Sequence, residues 1–336
     1  MYNNLPEGYK TSNPDEIKEI AKFDYLQNHT SGITWLLYNI RWFMFIYIFC
    51  IHILALYSIP LLFKCHIYTA IATISLGMIG NIGITAGPHR LYSHKSYKAS
   101  LMYRWFIMLC TSIANEGTII HWVRDHRTHH KYSETRADPH NALRGFFFAH
   151  VGWLLFKKDP RVKFAGKHIP MNDITNLSEV QFHQRFNPFL NLFCCFIFPA
   201  LVGHYGWGET FYNAFMLMGV LKYVYTLHCT WLVNSYAHLY GNRPYNQKIN
   251  PAESPFVSLF AVGEGWHNYH HTFPSDYAAS EFGTLYQFNP TKIFIDTCAL
   301  LSLIWDRNRS LHLCERRLEN KKKIITGWPL FKSRTI

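Results

Sequence analysis

The chain has 336 residues, enough for one large domain or two modest ones. Hydrophobic residues make up 49% and charged residues only 16%, a composition that favours a membrane-embedded protein. The eight cysteines form no C-x-x-C pair, which argues against a disulfide framework or a thiolate zinc site. A net charge of +12 permits nucleic acid, anionic lipid or an acidic protein as partner, so the distribution of the charges has to decide.

Four apolar stretches are long enough, or nearly so, to cross a bilayer, which takes about 20 residues. They follow a polar segment that lacks the layout of a cleaved signal peptide. Three residues separate the first stretch from the second, and three separate the third from the fourth. The sequence therefore predicts two transmembrane helical hairpins. The stretches are residues 42–63, 67–87, 189–207 and 211–237.

The basic residues predict the topology of these hairpins. Of the 33 lysines and arginines, all but Lys64 and Lys222 fall in residues 1–41, 88–188 and 238–336. Cytoplasmic loops carry an excess of Lys and Arg, so these segments are predicted to form a cytosolic cap. The charge then lies against the membrane, which makes the lipid bilayer the expected partner and not nucleic acid.

Histidines are concentrated in three boxes of the predicted cap. The boxes read "HRLYSH", "HRTHH" and "HNYHH", and a further histidine ends "WLVNSYAH". Crowded imidazoles without a common partner would repel each other or lose solvation, so we predict metal binding. The candidate ligands are His89, His94, His126, His129, His130, His238, His267, His270 and His271.

The spacing of the boxes favours two metal ions. In an α-helix, positions i, i+3 and i+4 share a face, so each H-x-x-H-H box is expected to present three imidazoles to one point. His89 and His94 are five residues apart and share no α-helical face, so one of them is expected beyond a helix end near Pro88. Nine imidazoles exceed the four ligands of a zinc site and suit two ions with four or five ligands each. Nitrogen ligands suit iron, zinc or copper.

Two acidic residues, Asp125 and Asp138, are candidates for orienting ligand imidazoles. A solvated carboxylate within a basic cap is the alternative for both.

Around these boxes the sequence resembles the membrane-bound acyl-CoA desaturases of the stearoyl-CoA desaturase family, especially the insect members. The matching stretches are "GITAGPHRLYSHKSYKA", "WVRDHRTHHKYSETRADPHNALRGFFFAHVGWLL", "TWLVNSYAHLYG" and "VGEGWHNYHHTFPSDYAASE". They cover most of residues 35–310 in family order. The resemblance implies an all-α membrane protein of the endoplasmic reticulum, with four transmembrane helices and a helical cytosolic cap.

The resemblance also implies a domain division and a reaction. Together with the hydropathy and charge pattern, which defines a cytosolic segment 1–41 and a basic tail 311–336, it gives a desaturase domain 42–310 with its cap in 88–188 and 238–310. The nine histidines are implied to hold a diiron centre, with Asn234 bound through a water. O2-dependent insertion of a cis double bond, at a delta-9 or delta-11 position, would produce unsaturated fatty acids or pheromone precursors. Cytochrome b5 and its NADH-dependent reductase are the implied electron donors.

Several residues match positions that contact the substrate in this family. Trp122 and Thr230 are implied to shape the bend of an acyl tunnel, with ordinary core packing as the alternative. Four residues match positions near the CoA headgroup, where cations pair with phosphates. For the lysines, a membrane-surface pair is the alternative. The four residues are Arg124, Asp125, Lys157 and Lys158.

The sequence departs from the family pattern at four positions. Glu116 and Gly117 stand where the family usually has Gln-Asn, and Met44 stands where it has asparagine. In the family both replaced asparagines are expected to contact the CoA or the acyl head. Gly77 stands where a bulky residue would limit chain length, which suggests a deeper tunnel. Helix packing by small residues is the alternative explanation for Gly77.

Other outcomes remain compatible with the boxes. A related diiron enzyme that hydroxylates, forms acetylenic bonds or conjugates double bonds would need the same ligands. A metal transporter is disfavoured because its ligands are expected within the spans. A degenerate, inactive homologue is disfavoured because no expected ligand is missing.

The predicted topology can be tested through glycosylation. Asn28, Asn176 and Asn308 begin N-x-S/T sequons, and a cytosolic location predicts that all three remain unmodified in a eukaryotic host. Digestion with an endoglycosidase should leave the electrophoretic mobility unchanged, whereas a sequon-bearing loop inserted after Lys64 should be glycosylated. Modification of a natural sequon in the folded protein would contradict the topology.

Overall fold

The structure, a computed structural model, describes residues 5–313, so most of the predicted basic tail lies outside the described residues. Its α-helices are α1 Pro14–His29, α2 Gly32–Asn39, α3 Trp42–Ser58, α4 Ile67–Ile84, α5 Leu101–Ala114, α6 Ile119–Tyr132, α7 Trp153–Leu155, α8 Pro160–Lys167, α9 Asn172–Thr175, α10 Ser178–Phe186, α11 Phe189–Leu192, α12 Phe198–Trp207, α13 Phe211–Ala214, α14 Lys222–Leu239, α15 Pro255–Phe260, α16 His267–Thr272 and α17 Pro290–Leu300.

Shorter elements join these helices. Short 3₁₀ turns occur at Ile59–Phe63 and Ala142–Arg144. The strands β1 Lys98–Ala99 and β2 Ile304–Trp305 pair antiparallel, with Lys98 opposite Trp305. Four π-helical segments are Thr85–Ser93, Phe148–Gly152, Phe193–Ile197 and Phe215–Leu221.

Four composite helices are long and apolar enough to cross a membrane. They coincide with the four predicted stretches, and the second and fourth continue a little further into the cap. The prediction of an all-α membrane protein with a helical cap is confirmed. The four spans are Trp42–Phe63, Ile67–Ser93, Phe189–Trp207 and Phe211–Leu239.

Large apolar side chains cover the outer faces of the spans. Phe43 is 80% exposed and Phe63 is 88% exposed, which in water would be costly but in a bilayer is the favourable arrangement. The seven cysteines between residues 5 and 313 are all free, in accord with the predicted reduced state.

The second span and α5 approach each other closely at Gly83. A Cβ atom at Gly83 would lie 2.5 Å from the carbonyl carbon of Cys110, so only glycine fits at this crossing. The Thr111 hydroxyl lies 3.1 Å from the Gly83 carbonyl oxygen and can donate a hydrogen bond to it. This crossing places α5, and the loop that follows it, against the end of the second span.

The loop between α5 and α6 is defined by its capping residues. Asn115 ends α5 in the left-handed conformation, and the Thr118 hydroxyl accepts a hydrogen bond from the His121 N–H at the start of α6. Gly117 has a φ of +88°, a conformation that glycine adopts without strain. The loop therefore directs Glu116 inward and begins α6 with the second histidine box facing the spans.

A buried ion pair joins the second span to the third histidine box. Arg90 is 1% exposed, and its guanidinium donates to the Glu264 carboxylate at 2.7 Å and to the Tyr277 carbonyl oxygen at 2.9 Å. Because a buried charge without a partner is costly, this pair strongly restricts how the segment around residue 264 can be placed.

The Gly83 crossing gives a stability prediction. Gly83→Ala should destabilise the protein by about 1–3 kcal/mol or prevent folding, because the added methyl group meets backbone atoms that cannot move aside. Gly80→Ala is the matched control, since its Cβ would reach Ala114 only at 3.4 Å, an ordinary contact. Thermal unfolding of detergent-purified variants measures both. Equal melting temperatures for the two variants would contradict the close approach.

Candidate metal centre and substrate cavity

The imidazole nitrogens of five histidines converge at the cap end of the second span. The Nε2 atoms of His94 and His126 are 2.8 Å apart, and His270 Nε2 lies 3.0 Å from that of His89 and 3.1 Å from that of His130. The five ligand atoms all lie within 4.8 Å of one another. We call these residues the five-histidine group.

His129, His238, His267 and His271 form a four-histidine group beside it. The Nε2 atom of His267 lies 3.0 Å from that of His238 and 3.1 Å from that of His271. The four potential ligand atoms are again all within 4.8 Å of one another. The structure thus brings together all nine histidines that the sequence suggested as ligands, in one set of five and one of four.

Each H-x-x-H-H box is divided between the two groups, so the expectation that a box serves a single point is wrong. In α6, His126 and His130 belong to the five-histidine group and His129 belongs to the other. In α16 the assignment is reversed, because only His270 joins the five-histidine group. Residues advance about 100° around an α-helix, so positions i+3 and i+4 lie on opposite sides of position i and point to neighbouring sites.

A π-helical turn brings His89 and His94 into the same group. The N–H of His94 donates to the His89 carbonyl oxygen at 3.2 Å, the i to i+5 bond of a π-helix. Pro88 lacks an N–H, which favours a departure from α-helical bonding here. The expectation that one of the two histidines lies beyond a helix end is confirmed for His94, which caps the segment Thr85–Ser93. The π-helical turn places both rings in the five-histidine group although the two residues share no α-helical face.

Three carboxylates contact the outer ring nitrogens of ligand candidates. Asp138 was predicted for such a role, whereas Glu134 and Glu264 were missed. Glu134 lies four residues after the second histidine box and Glu264 three residues before the third, and this closeness to the boxes was the signal that could have identified them. The pairs, from each Nδ1 to a carboxylate oxygen, are His89–Glu264 at 3.1 Å, His129–Asp138 at 2.8 Å and His238–Glu134 at 3.0 Å.

Burial keeps most of these imidazoles neutral. Desolvation, followed by repulsion from neighbouring rings, lowers the pKa of His126, His130 and His270 well below its usual value. His129 differs: burial lowers its pKa, but the charge and hydrogen bond of Asp138 outweigh burial, and the net shift is upward. Neutral imidazoles expose the lone pairs that a metal requires.

The donor set fits transition-metal ions. The Nδ1 atoms of His89 and His238 face carboxylate oxygens, so in the neutral rings the proton is on Nδ1 and the Nε2 lone pair is free to bind a cation. The Nδ1 atoms of His267 and His270 are buried and have no hydrogen-bond partner within residues 5–313. All nine donors are nitrogen, which favours iron, zinc or copper over magnesium or calcium.

A cavity extends from the two histidine groups between the second span, α6 and α14. Trp122 stacks on His126 with ring centroids 4.9 Å apart, and Trp122, Thr230 and Asn234 all line the cavity. The lining residues are Asn81, Ile84, Thr85, His89, Trp122, His126, His129, Cys229, Thr230, Val233, Asn234, Ala261, Glu264 and His267.

Glu116 lies behind the two residues expected at the tunnel bend. Its carboxylate accepts a hydrogen bond from the indole N–H of Trp122 at 3.1 Å and one from the Thr230 hydroxyl at 2.6 Å. Burial raises its pKa to about 7. Glu116, a departure from the family pattern, is thus the link between Trp122 and Thr230.

The residues expected near the CoA headgroup lie on the cap surface. Asp125 pairs with Lys158 and lies 3.5 Å from His121, and it contacts no ligand candidate, so its role in orienting a ligand ring is not observed. The Lys157 ammonium lies 3.8 Å from the centroid of the Tyr38 ring. Arg124 packs along Gly166.

Lys157 and Lys158 line a second, smaller cavity together with Arg136 and Arg144. Asp138 and Asp159 also line this cavity, and Arg136 pairs with Asp159 and Lys158 with Asp125, so the cationic charge there is partly neutralised by carboxylates.

The other two departures from the family pattern are packing residues in the structure. Met44 packs against the core cluster of the first and fourth spans. A Cβ at Gly77 would lie 3.4 Å from the Tyr225 ring, so this ring occupies the space beside Gly77. Gly77 does not line the cavity described above, which favours the helix-packing explanation over the deeper tunnel.

If the carboxylates orient the ligand rings, removing one of them should weaken metal binding. Asp138→Asn should weaken metal binding by roughly 10–100-fold, because the acceptor that orients the His129 ring loses its charge. Metal content after competition with a chelator measures the effect. Asp306→Asn is the control, since Asp306 is an exposed carboxylate paired with Lys98. Unchanged metal retention in Asp138→Asn would contradict an orienting role.

Glu116 predicts a pH-dependent stability. Its pKa of about 7 in the folded state exceeds the unfolded value of 4.5, so the folded state binds its proton more tightly. Stability is therefore lost as the pH rises from about 4.5 through 7, by up to about 3 kcal/mol. Glu116→Gln has no ionisable group; its Oε1 can accept from the Trp122 indole N–H and its Nε2 can donate to the Thr230 hydroxyl. The variant should therefore unfold at a higher temperature than the wild type at pH 8, but not at pH 5.

Thermal melts at the two pH values test this, with Glu19→Gln as a control that removes an exposed carboxyl. The same pH dependence in the wild type and in Glu116→Gln would contradict the assignment.

Comparison with known proteins identifies the family. The sequence profile of the family described as fatty acid desaturase matches residues 65–282. The chain is 50% identical to stearoyl-CoA desaturase 2 of Rattus norvegicus over 259 residues, which is 77% of this chain and 72% of that protein. It is 46% identical to stearoyl-CoA desaturase 5 of Bos taurus over 277 residues, 82% of this chain and 81% of the other. It is 49% identical to stearoyl-CoA desaturase of Homo sapiens over 77% of this chain and 72% of the human protein. The chain belongs to the fatty acid desaturase family.

Proposed function

We propose that the protein is an acyl-CoA desaturase that introduces a cis double bond into a fatty acyl-CoA. The observation that carries the proposal is the cavity that ends on both histidine groups, because it can lead a hydrocarbon chain to the metal ligands. The relatives at 46–50% identity are named stearoyl-CoA desaturases, which agrees with this substrate class and reaction.

The role of the cavity is to position one pair of carbons. Trp122 stacks on His126 and both line the cavity, so a chain that bends around the indole passes next to the ligand rings. Its hydrogen bond to Glu116, which also holds Thr230, fixes both residues in one orientation. Fixed walls convert an unselective oxidation into one at a defined carbon pair, because only those carbons reach the reacting centre.

The nine histidines would hold two iron ions, with Asn234 acting through a water molecule. Iron supplies the oxidising power that an unactivated methylene C–H bond requires when O2 is the oxidant. The chain contributes neutral imidazoles that remain ligands in more than one oxidation state, and carboxylates at Glu264, Asp138 and Glu134 that fix their orientation. The apolar side chains Ile84 and Val233 exclude water from the adjoining cavity.

The CoA headgroup would bind on the cap. Lys157 and Lys158, which share a depression with Arg136 and Arg144, carry the charge that the phosphates need. We assign Arg124 and Asp125 to the rim of this site, with Asp125 holding the Lys158 side chain in place.

Electrons would come from cytochrome b5 and its NADH-dependent reductase. The strongly basic cap suits an acidic haem protein, since complementary charge accelerates encounter and orients the partners. We propose with it an endoplasmic reticulum location, a cytosolic cap and domain boundaries at residues 41 and 310.

A hydroxylase, acetylenase or conjugase could use the same ligands, but the named relatives favour desaturation. An inactive homologue is disfavoured because each of the nine histidines is present and lies in one of the two groups.

Expression in a yeast strain that lacks its own desaturase tests the proposal. The wild type and His312→Ala, which removes an exposed histidine outside both groups, should restore growth and yield new unsaturated fatty acids. His130→Ala should lower product at least about 100-fold, because one ligand of the five-histidine group is lost. Mass spectrometry locates the double bond, at the delta-9 or delta-11 position. Folded wild-type protein without any new unsaturated fatty acid would overturn the proposal.

A further inference from the structure

A chain of three histidines lies outside the two metal groups, where the first span, the fourth span and the cap segment Phe148–Gly152 meet. The Nε2 atom of His52 is 3.1 Å from that of His228, and the Nδ1 atom of His228 is 2.9 Å from the Nε2 atom of His150. Ionisable residues within a membrane are costly to bury and often functional. The protons that these three rings carry decide what the chain can bind.

One end of the chain fixes the proton of His150. The Ser235 hydroxyl donates to the Trp231 carbonyl oxygen at 2.7 Å, so it can only accept from the His150 Nδ1 atom, which is 2.9 Å away. Burial lowers the pKa of His150, so this ring is neutral and its single proton is on Nδ1. The His150 Nε2 atom is therefore an acceptor, and the proton of a neutral His228 ring has to be on the Nδ1 atom that faces it.

The other end fixes the proton of His52. Its Nδ1 atom lies 2.7 Å from the Ile48 carbonyl oxygen, which can only accept, so Nδ1 carries the proton of the neutral ring. In the neutral rings, the Nε2 lone pairs of His52 and His228 then face each other at 3.1 Å. The three rings and the Ser235 hydroxyl supply four protons for five contacts, so the chain is one proton short.

We infer that His52 and His228 form a proton-binding site, in which one added proton between their Nε2 atoms fastens the first span to the fourth. The distance of 3.1 Å between the two nitrogens is within the usual range for an N–H donor and its acceptor. With this proton, every contact of the chain has one donor and one acceptor. Its loss leaves two lone pairs opposed, so the first span should be held more firmly when the site is protonated.

An indole ring beside the site suits a positive charge. Trp231 is 2% exposed, and the centroid of its ring lies 6.0 Å from that of His52 and 5.2 Å from that of His228. The His52 ring is nearly parallel to the indole, with 12° between the two planes. A cation near the face of an indole is attracted by its π electrons, so Trp231 favours the protonated form of the pair.

No other charged group faces the pair among the described residues. Both rings line an open groove of about 310 Å³, whose other walls are apolar and include Phe45 and Leu155. No lysine, arginine, aspartate or glutamate lines this groove, and His150 is the titratable group that faces the pair from the cap. Tyr47 and Tyr223 also join the two spans, but their hydroxyls bond to each other at 3.1 Å. The protonation of the pair therefore depends on the three histidines themselves.

A metal ion is the other cation that could lie between two Nε2 atoms. Within residues 5–313, neither His52 nor His228 belongs to a group of three or more potential metal ligands. Two ring nitrogens would leave a transition-metal ion with fewer ligands than such ions usually take from a protein. A proton needs no further ligand, so it is the cation that this geometry accepts.

Thermal unfolding of the full-length holoenzyme tests the site at about pH 5 and about pH 8, on either side of the usual histidine pKa. In His52→Gln the side-chain amide can donate to the His228 Nε2 atom without a charge. The shared proton stabilises the folded wild type at low pH and is lost as the pH rises. The melting temperature of the wild type, relative to that of His52→Gln, should therefore fall by about 2–4 °C from the lower to the higher pH. Glu116 is present in both proteins, so its titration cancels in this difference.

His29→Gln is the matched control. The Nδ1 atom of His29 also lies 2.8 Å from the carbonyl oxygen four residues earlier, but its ring stacks on Tyr25 and not against a second imidazole. This variant should keep the pH dependence of the wild type. His228→Leu removes the facing ring and should lose the pH dependence as His52→Gln does, which gives a second reading if His52→Gln does not fold.

A wild type whose stability relative to His52→Gln is independent of pH, or is lower at the acidic pH, would overturn the inference. Elemental analysis adds an independent check, because His52→Gln should retain the full metal content of the wild type. The loss of one metal ion per chain in that variant would show that the gap holds a metal and not a proton, and would overturn the inference as well.

Discussion

The angular spacing of residues on an α-helix is the constraint on which the rest of the structure depends. His129 joins a different group from His126 and His130, because it lies about 60° around the helix from the first and about 100° from the second. A single H-x-x-H-H box therefore cannot complete a site. Both groups form only when α6 and α16 face each other, and the second and fourth spans must deliver their own histidines to the same place.

This requirement explains how the cap is held on the spans. The π-helical turn rotates His94 toward His89, and the buried Arg90–Glu264 pair fixes the loop that precedes α16. Glu264 also contacts His89, so one carboxylate serves both the ion pair and the ligand ring. Metal binding to such a site is coupled to folding, because the neutral, converging imidazoles exist only in the assembled cap.

The sequence was sufficient for the spans, the nine histidines and the number of groups. It was insufficient wherever a tertiary neighbour decides the outcome. Which group each histidine of a box joins depends on the helix that packs opposite it. The prediction of shared faces assumed the 3.6 residues per turn of an α-helix, and the π-helical turn at His89 and His94 does not have that period. Glu116 stood out as a departure from the family pattern, but its link to Trp122 and Thr230 joins segments about a hundred residues apart.

If each histidine box is shared between two metal ions, anomalous diffraction from crystals of the holoenzyme at the iron absorption edge should show it. We expect two peaks, one within bonding distance, about 2.0–2.2 Å, of His126, His130 and His270, and another at that distance from His129, His267 and His271. A single peak, or two peaks each bound by all three histidines of one box, would contradict it.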